Sequence, residues 1–195
     1  MKKVFVFGLL SAIVLLAACK KDKNGSNASI EGTYKLKYIS AKTSSSVIGN
    51  YGDKTVTTSE YTTTNNQGTI TLSNGALTAT GLTYSVDTRA NLYEYFGTDL
   101  LDSSSYPFSF TLPASNSASQ YQLIGADSIY FPQGGITSGA DGSGYQSIAN
   151  GGHYSFSGNL LTITEVVSKD STYGESGETY KLIEEGTSSV VLEKQ

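Results

Sequence analysis

In 195 residues, 17 acidic side chains stand against 13 basic ones, and a net charge of −4 gives nucleic acid no electrostatic hold on the chain. One cysteine and one histidine exclude a disulfide framework and any metal site built from several thiolates or imidazoles. With 14 Tyr, 7 Phe, no Trp and only 15% charged residues, the composition favours pleated, half-buried surfaces.

Lys2 and Lys3 precede an uncharged run from Val4 to Ala18 that closes on the small pair Ala17-Ala18. The run is short for the roughly 20 apolar residues of a membrane-spanning helix, and it reads as an export leader over residues 1–18. Leu16-Ala17-Ala18-Cys19 resembles the lipobox of bacterial lipoproteins. In that family the cysteine thiol takes a diacylglycerol, the leader is cut before it, and the new amino group is acylated with a palmitate-type chain. The resemblance therefore implies that Cys19 is the lipid-attachment residue and that the membrane is a partner through this lipid. One acyl chain anchors a protein only marginally, whereas two or more hold it stably. Lys20, in place of the aspartate that retains such proteins at the inner membrane, implies the cell envelope's outer membrane, with the leaflet left open.

Without the leader, 11 basic residues face 17 acidic ones, a net charge of −6. Lys20, Lys21 and Lys23 either touch anionic head groups or belong to a solvated tether. The polar stretch Asn24 to Ser29 makes residues 19–29 a flexible linker, so one domain is expected over residues 30–195.

Within it, Tyr34, Leu36 and Tyr38 alternate with Lys35 and Lys37, the period of a strand with one wet face. Thr43 to Ser46 reads as a loop. Thr69 to Ser73 and Ala76 to Thr80 flank Asn74-Gly75, the dipeptide that type I′ hairpin turns need. Leu82, Tyr84 and Val86 alternate next. Ala90 to Leu101 fits a helical stripe or a strand, and the strand is preferred. Tyr106, Phe108, Phe110 and Leu112 line one face of a run that Pro113 ends, and Tyr121 and Leu123 follow. Gly134-Gly135 and Gly139 to Gly144 are expected loops. Tyr154 and Phe156 turn at Gly158-Asn159 onto Leu161 and Ile163, a second hairpin, and Tyr180-Leu182 pairs with Val190-Leu192 across a Glu184 to Ser189 loop. The expected fold is all-β: a single antiparallel up-and-down barrel of about eight to ten strands, with a two-sheet sandwich as the alternative.

Three stretches are similar to the bacterial lipocalin-like domains carried on lipoproteins: Ile30 to Leu36, Gly152 to Ile163, and Tyr180 to Ile183 with Val190 to Leu192. Gly32-Thr33-Tyr34 stands where lipocalins carry Gly-x-Trp. The resemblance implies an eight-stranded barrel, some members having an internal cavity. Inward residues of one parity would then be Tyr34, Leu36, Tyr38, Phe108, Phe110, Tyr154 and Phe156, the candidate lining of a ligand pocket.

Catalytic chemistry is thin. His153 sits beside Gly151-Gly152 at a hairpin start, where a surface imidazole is the ordinary reading. Asp141-Gly142-Ser143-Gly144 lacks the oxygen ligands of a calcium loop, and Glu184-Glu185 reads as a solvated tip. No catalytic residue, metal or cofactor is expected. The functional expectation is an exported, membrane-anchored monomer that binds a small apolar or amphipathic ligand; the alternative is a surface lipoprotein that binds glycan or protein through its loops.

Overall fold

The computed structural model describes residues 29–136, 149–175 and 177–195. The leader, Cys19, most of the tether and the Gly139 to Gly144 stretch lie outside the described residues. The domain is all-β. The described residues form ten strands: β1 (Gly32–Ile48), β2 (Asp53–Thr62), β3 (Thr64–Ser73), β4 (Ala76–Phe96), β5 (Asp99–Gln120), β6 (Gln122–Ile124), β7 (Ser128–Phe131), β8 (Asn150–Ser157), β9 (Leu160–Glu175) and β10 (Glu178–Lys194).

The strands pair antiparallel throughout, and β10 returns to β1, closing an up-and-down barrel. β2 and β3 lie end to end between the same neighbours: β2 pairs with β1 and β4, and so does β3. Thr63 bridges their junction. Its N–H donates to Ile39 O (2.8 Å) and its hydroxyl accepts from Ile39 N–H (2.8 Å), so the ladder with β1 survives the kink. β5 and β6 are likewise one strand interrupted at Tyr121, with β5 on β4 and β6 on β7. Counting each of these pairs once, the ten strands form a ring of eight.

Turn chemistry follows the sequence. Asn74 and Gly75 both have positive φ (49° and 77°), as a type I′ turn demands, and Gly158 turns the second hairpin. Gly68 is required by close approach: a Cβ there would lie 2.7 Å from Gly81 O and from the Leu82 Cα, at φ +101°.

Several expectations need correction. The runs 76–80 and 82–86 and the stretch from Ala90 to Phe96 form one strand, β4. Thr43 to Ser46 lies inside β1, and Glu184 to Ser189 inside β10, so neither is a loop and Glu184-Glu185 is no turn. Pro113 does not end β5: the register passes from Tyr84↔Leu112 to Leu82↔Ser115, so Pro113 sits in a β-bulge where its missing N–H breaks no ladder bond.

The core gathers at one end. Tyr34, Leu36, Ile39, Ile70, Leu72, Leu77, Leu82, Leu161, Ile163 and Leu192 are buried there, with Ile129 and Phe131 of β7. Past Phe131 the chain turns inward, and Gly134, Gly135 and Ile136 are buried. The short strands β6, β7 and β8 close only this end. β8 leaves β9 at Gly151↔Val166, and beyond that level, among the described residues, six strands continue in the order β5-β4-β2-β1-β10-β9 as an open sheet.

Candidate functional site

Directly opposite residues in an antiparallel ladder share a face, so the registers trace the inner wall row by row. The rim of the closed end carries Ala41 opposite Tyr61 on β2 and Ser188 on β10, with Glu165 opposite Ser188 on β9. One row further out, a single line crosses all six strands: Tyr106, Ala90, Ser59, Thr43, Gly186 and Val167. The four middle positions are small. The outer two are an aromatic and a valine on the two edge strands, so the row is a shallow trough with a low floor and apolar banks.

Phe108 stands next to Tyr106 on the same face of β5. Its ring lies 5.6 Å from that of Phe110, which packs edge-on to Tyr84 at 6.2 Å. Phe110 caps the core, while Phe108 keeps 45% of its surface exposed and Tyr106 keeps 55%. Depressions of about 330 Å³ and 310 Å³ at this level lie on the reverse of the sheet, among Lys42, Thr58, Glu60, Asn91, Val166 and Glu185, which the registers set on the opposite face from the trough. The next row holds a Lys169–Glu184 ion pair at 3.5 Å, which leaves the far bank locally neutral.

The sequence-derived lining set separates into three groups. Tyr34 and Leu36 do face inward, but at the closed end, where they are fully buried and fill the lumen. The Tyr34 hydroxyl donates to Ile30 O at 2.7 Å, and burial pushes its pKa above the ordinary tyrosine value. Tyr154 and Phe156 pack edge-on to each other at 6.3 Å against the same core, and the Tyr154 hydroxyl donates to Ala126 O. Phe108 and Phe110 alone reach the open wall. Tyr38 is a correction: the register steps from Leu36↔Leu192 to Tyr38↔Val191, a bulge at Lys37 that reverses parity. Ile39 therefore points inward and Tyr38 lies 41% exposed on the outside.

The floor residues Thr43, Ser59, Ala90 and Gly186 are invisible to a search for bulky alternation. Only the Tyr106-Phe108-Phe110 stripe signals this wall.

Beneath the trough, Glu165 is fully buried. Its carboxylate accepts from Asn150 Nδ2 (2.9 Å) and from the Ile136 N–H (3.2 Å), and it lies directly against Gly135. It ties the inward-turned segment to the wall.

His153 is exposed at the opposite, outer side of β8. Its Nδ1 lies 3.3 Å from Ser128 Oγ and 3.9 Å from Asp127 Oδ1. A nucleophile relay needs serine and carboxylate on different ring nitrogens, and here both sit at Nδ1. The arrangement works as a surface hydrogen-bond cluster. Among the described residues, no three His, Cys, Asp or Glu side chains gather as a metal-ion site. No protein-family model, curated protein or solved structure matches the chain.

Proposed function

We propose that this chain is a lipid-anchored protein of the cell envelope, at the outer membrane, whose barrel holds a small amphipathic molecule in the trough at its open end. The observation that carries this reading is the six-strand row of small residues banked by Tyr106, Phe108 and Val167. Half-exposed aromatic rings over a low polar floor suit a ligand with one apolar face and a few hydroxyls or amides. The filled lumen at the closed end directs the ligand to the mouth rather than to a deep cavity. The leader pattern and Cys19 support the anchor. β1 enters the barrel at its closed end, so a tether from Cys19 leaves the trough facing away from the membrane.

Native mass spectrometry of protein purified from its own host, followed by titration with an environment-sensitive apolar dye, tests the reading. Phe108→Ala is expected to weaken dye binding on the order of tenfold, the scale of one lost aromatic contact. Tyr38→Ala, on the outside, is expected to leave it unchanged. If nothing copurifies and folded Phe108→Ala binds dye as the wild type does, the trough is not a ligand site.

A further inference from the structure

The open sheet has two edges, and the chain treats them differently. An unpaired edge offers a row of free N–H and C=O groups to any passing strand, and proteins blunt such edges with proline, bulges or charge. β5 carries Pro107 and the Pro113 bulge, and both remove N–H donors from a strand whose long partner, among the described residues, is β4. The far part of β9 pairs only with β10 among the described residues. From Val167 to Glu175 it contains no proline and no bulge, and its only edge device is charge of both signs, on Lys169, Asp170 and Glu175, which a second copy can match rather than repel. Tyr173 remains 39% exposed there, stacked on Tyr180 at 5.5 Å.

We propose that this edge joins two copies of the chain into a two-fold dimer through antiparallel pairing of β9 with β9, centred on Thr172. A two-fold axis perpendicular to the sheet sets each face against the same face of the second copy, so the centre must fall on a residue. Centring on Lys169 or Asp170 sets like charges against each other, which is unfavourable. Centring on Thr172 sets Lys169 opposite Glu175 of the second copy, twice by symmetry. Ser171 then faces Tyr173, Asp170 faces Gly174, and Thr172 faces itself, a favourable cross-strand pair. Charge complementarity therefore selects a second copy in this register. Lys169 lies within reach of its own Glu184 at 3.5 Å and so stands on the sheet surface, where a second carboxylate can meet it. The two six-stranded sheets become one of twelve strands, with both troughs opening on the same side. The monomer expected from the sequence rests on alternation, which counts faces and is blind to edges.

The test uses the full chain in detergent. Analytical ultracentrifugation is expected to give a dimer whose dissociation constant rises at least tenfold in Lys169→Glu and recovers in Lys169→Glu with Glu175→Lys. Circular dichroism confirms that each variant is folded. Thr172→Cys is expected to oxidise to a disulfide-linked dimer, because opposed Cα atoms in such a pair are about 4.5–5.5 Å apart. Peptide mapping must find the introduced thiol of one copy joined to the same thiol of the other, distinct from any product of Cys19. A wild type that is monomeric at its highest soluble concentration overturns the proposal. So does a dimer that Lys169→Glu leaves intact, or a charge swap that fails to restore association in a folded protein.

Discussion

Glu165→Ala removes the group that holds the inward-turned segment in the barrel, and its effect can be worked from two bonds. The carboxylate accepts from Asn150 Nδ2 at 2.9 Å and from Ile136 N–H at 3.2 Å, with no exposed surface at Glu165. Alanine reaches neither donor. A buried donor left without an acceptor costs about 1–3 kcal/mol, so the pair together cost about 2–6 kcal/mol. That is a large part of the roughly 5–15 kcal/mol by which a domain is stable. Glu165→Gln behaves differently. Its amide oxygen keeps one donor, and its Nε2 can donate to Asn150 Oδ1, a buried oxygen with no partner among the described residues, once the asparagine amide turns over. A side chain of the same shape that keeps hydrogen bonds to this segment is expected to cost within about 1 kcal/mol. Urea unfolding followed by circular dichroism and tyrosine emission reads both. With a slope of about 1–3 kcal/mol per molar, the alanine midpoint is expected about 1–3 M below wild type and the glutamine midpoint close to it. An alanine variant within about 1 kcal/mol of wild type, or one no worse than glutamine, refutes the view that Glu165 fastens this segment.

Gly68→Ala is expected to lose about 2–4 kcal/mol in the same assay, because its Cβ would press on Gly81 O and Leu82 Cα from a left-handed backbone. Burial raises the pKa of Tyr34, Tyr61 and Tyr121, so the fold keeps phenolic protons that the unfolded chain releases near pH 10. Their contribution is therefore complete below about pH 10 and lost as pH rises above it, and ultraviolet titration is expected to show these phenols ionising only as circular dichroism collapses. Intact mass of the membrane-extracted protein is expected to show a chain beginning at Cys19 and carrying acyl chains; a free Cys19 thiol or another start contradicts the anchor. His153→Ala is expected to leave dye binding within a few-fold of wild type, and a far larger loss in a folded variant points to chemistry at that surface cluster.

Where a strand buries one face in the core, its side chains announce it. Tyr34 and Leu36, the Asn74-Gly75 turn, Tyr84 and Val86, and the Gly158 hairpin all lie around the closed end, where burial enforces period two. Beyond the rim that constraint lapses. Thr43 to Ser46 and Glu184 to Ser189 are held by ladder bonds to neighbours on both sides rather than by burial, and their small polar residues resemble a loop on paper. The side taken by Tyr38 is hidden for a different reason: a bulge adds one residue without any change in composition, and one residue reverses every side chain after it. The trough depends on a third kind of information. That Ser59, Thr43 and Gly186 stand abreast is a fact of register between distant segments, which no single run of sequence contains.

The β1–β10 seam joins the first described strand to the last. Lys37 and Glu193, which meet across it at 3.1 Å, are 156 residues apart in the chain. Closing so large a loop is entropically costly before any contact repays it, and folds dominated by such pairings assemble slowly. Hairpins such as β3–β4 and β8–β9 can zip early from their turns. The barrel cannot close until residues 181–194 are present, because they supply the partners of nearly all of β1. Until then β1 and β9 each have an unsatisfied side, so a chain emerging from its amino end keeps the seam open until β10 has been made. Slow, late closure makes this seam the stage at which mispairing between chains competes most strongly with folding.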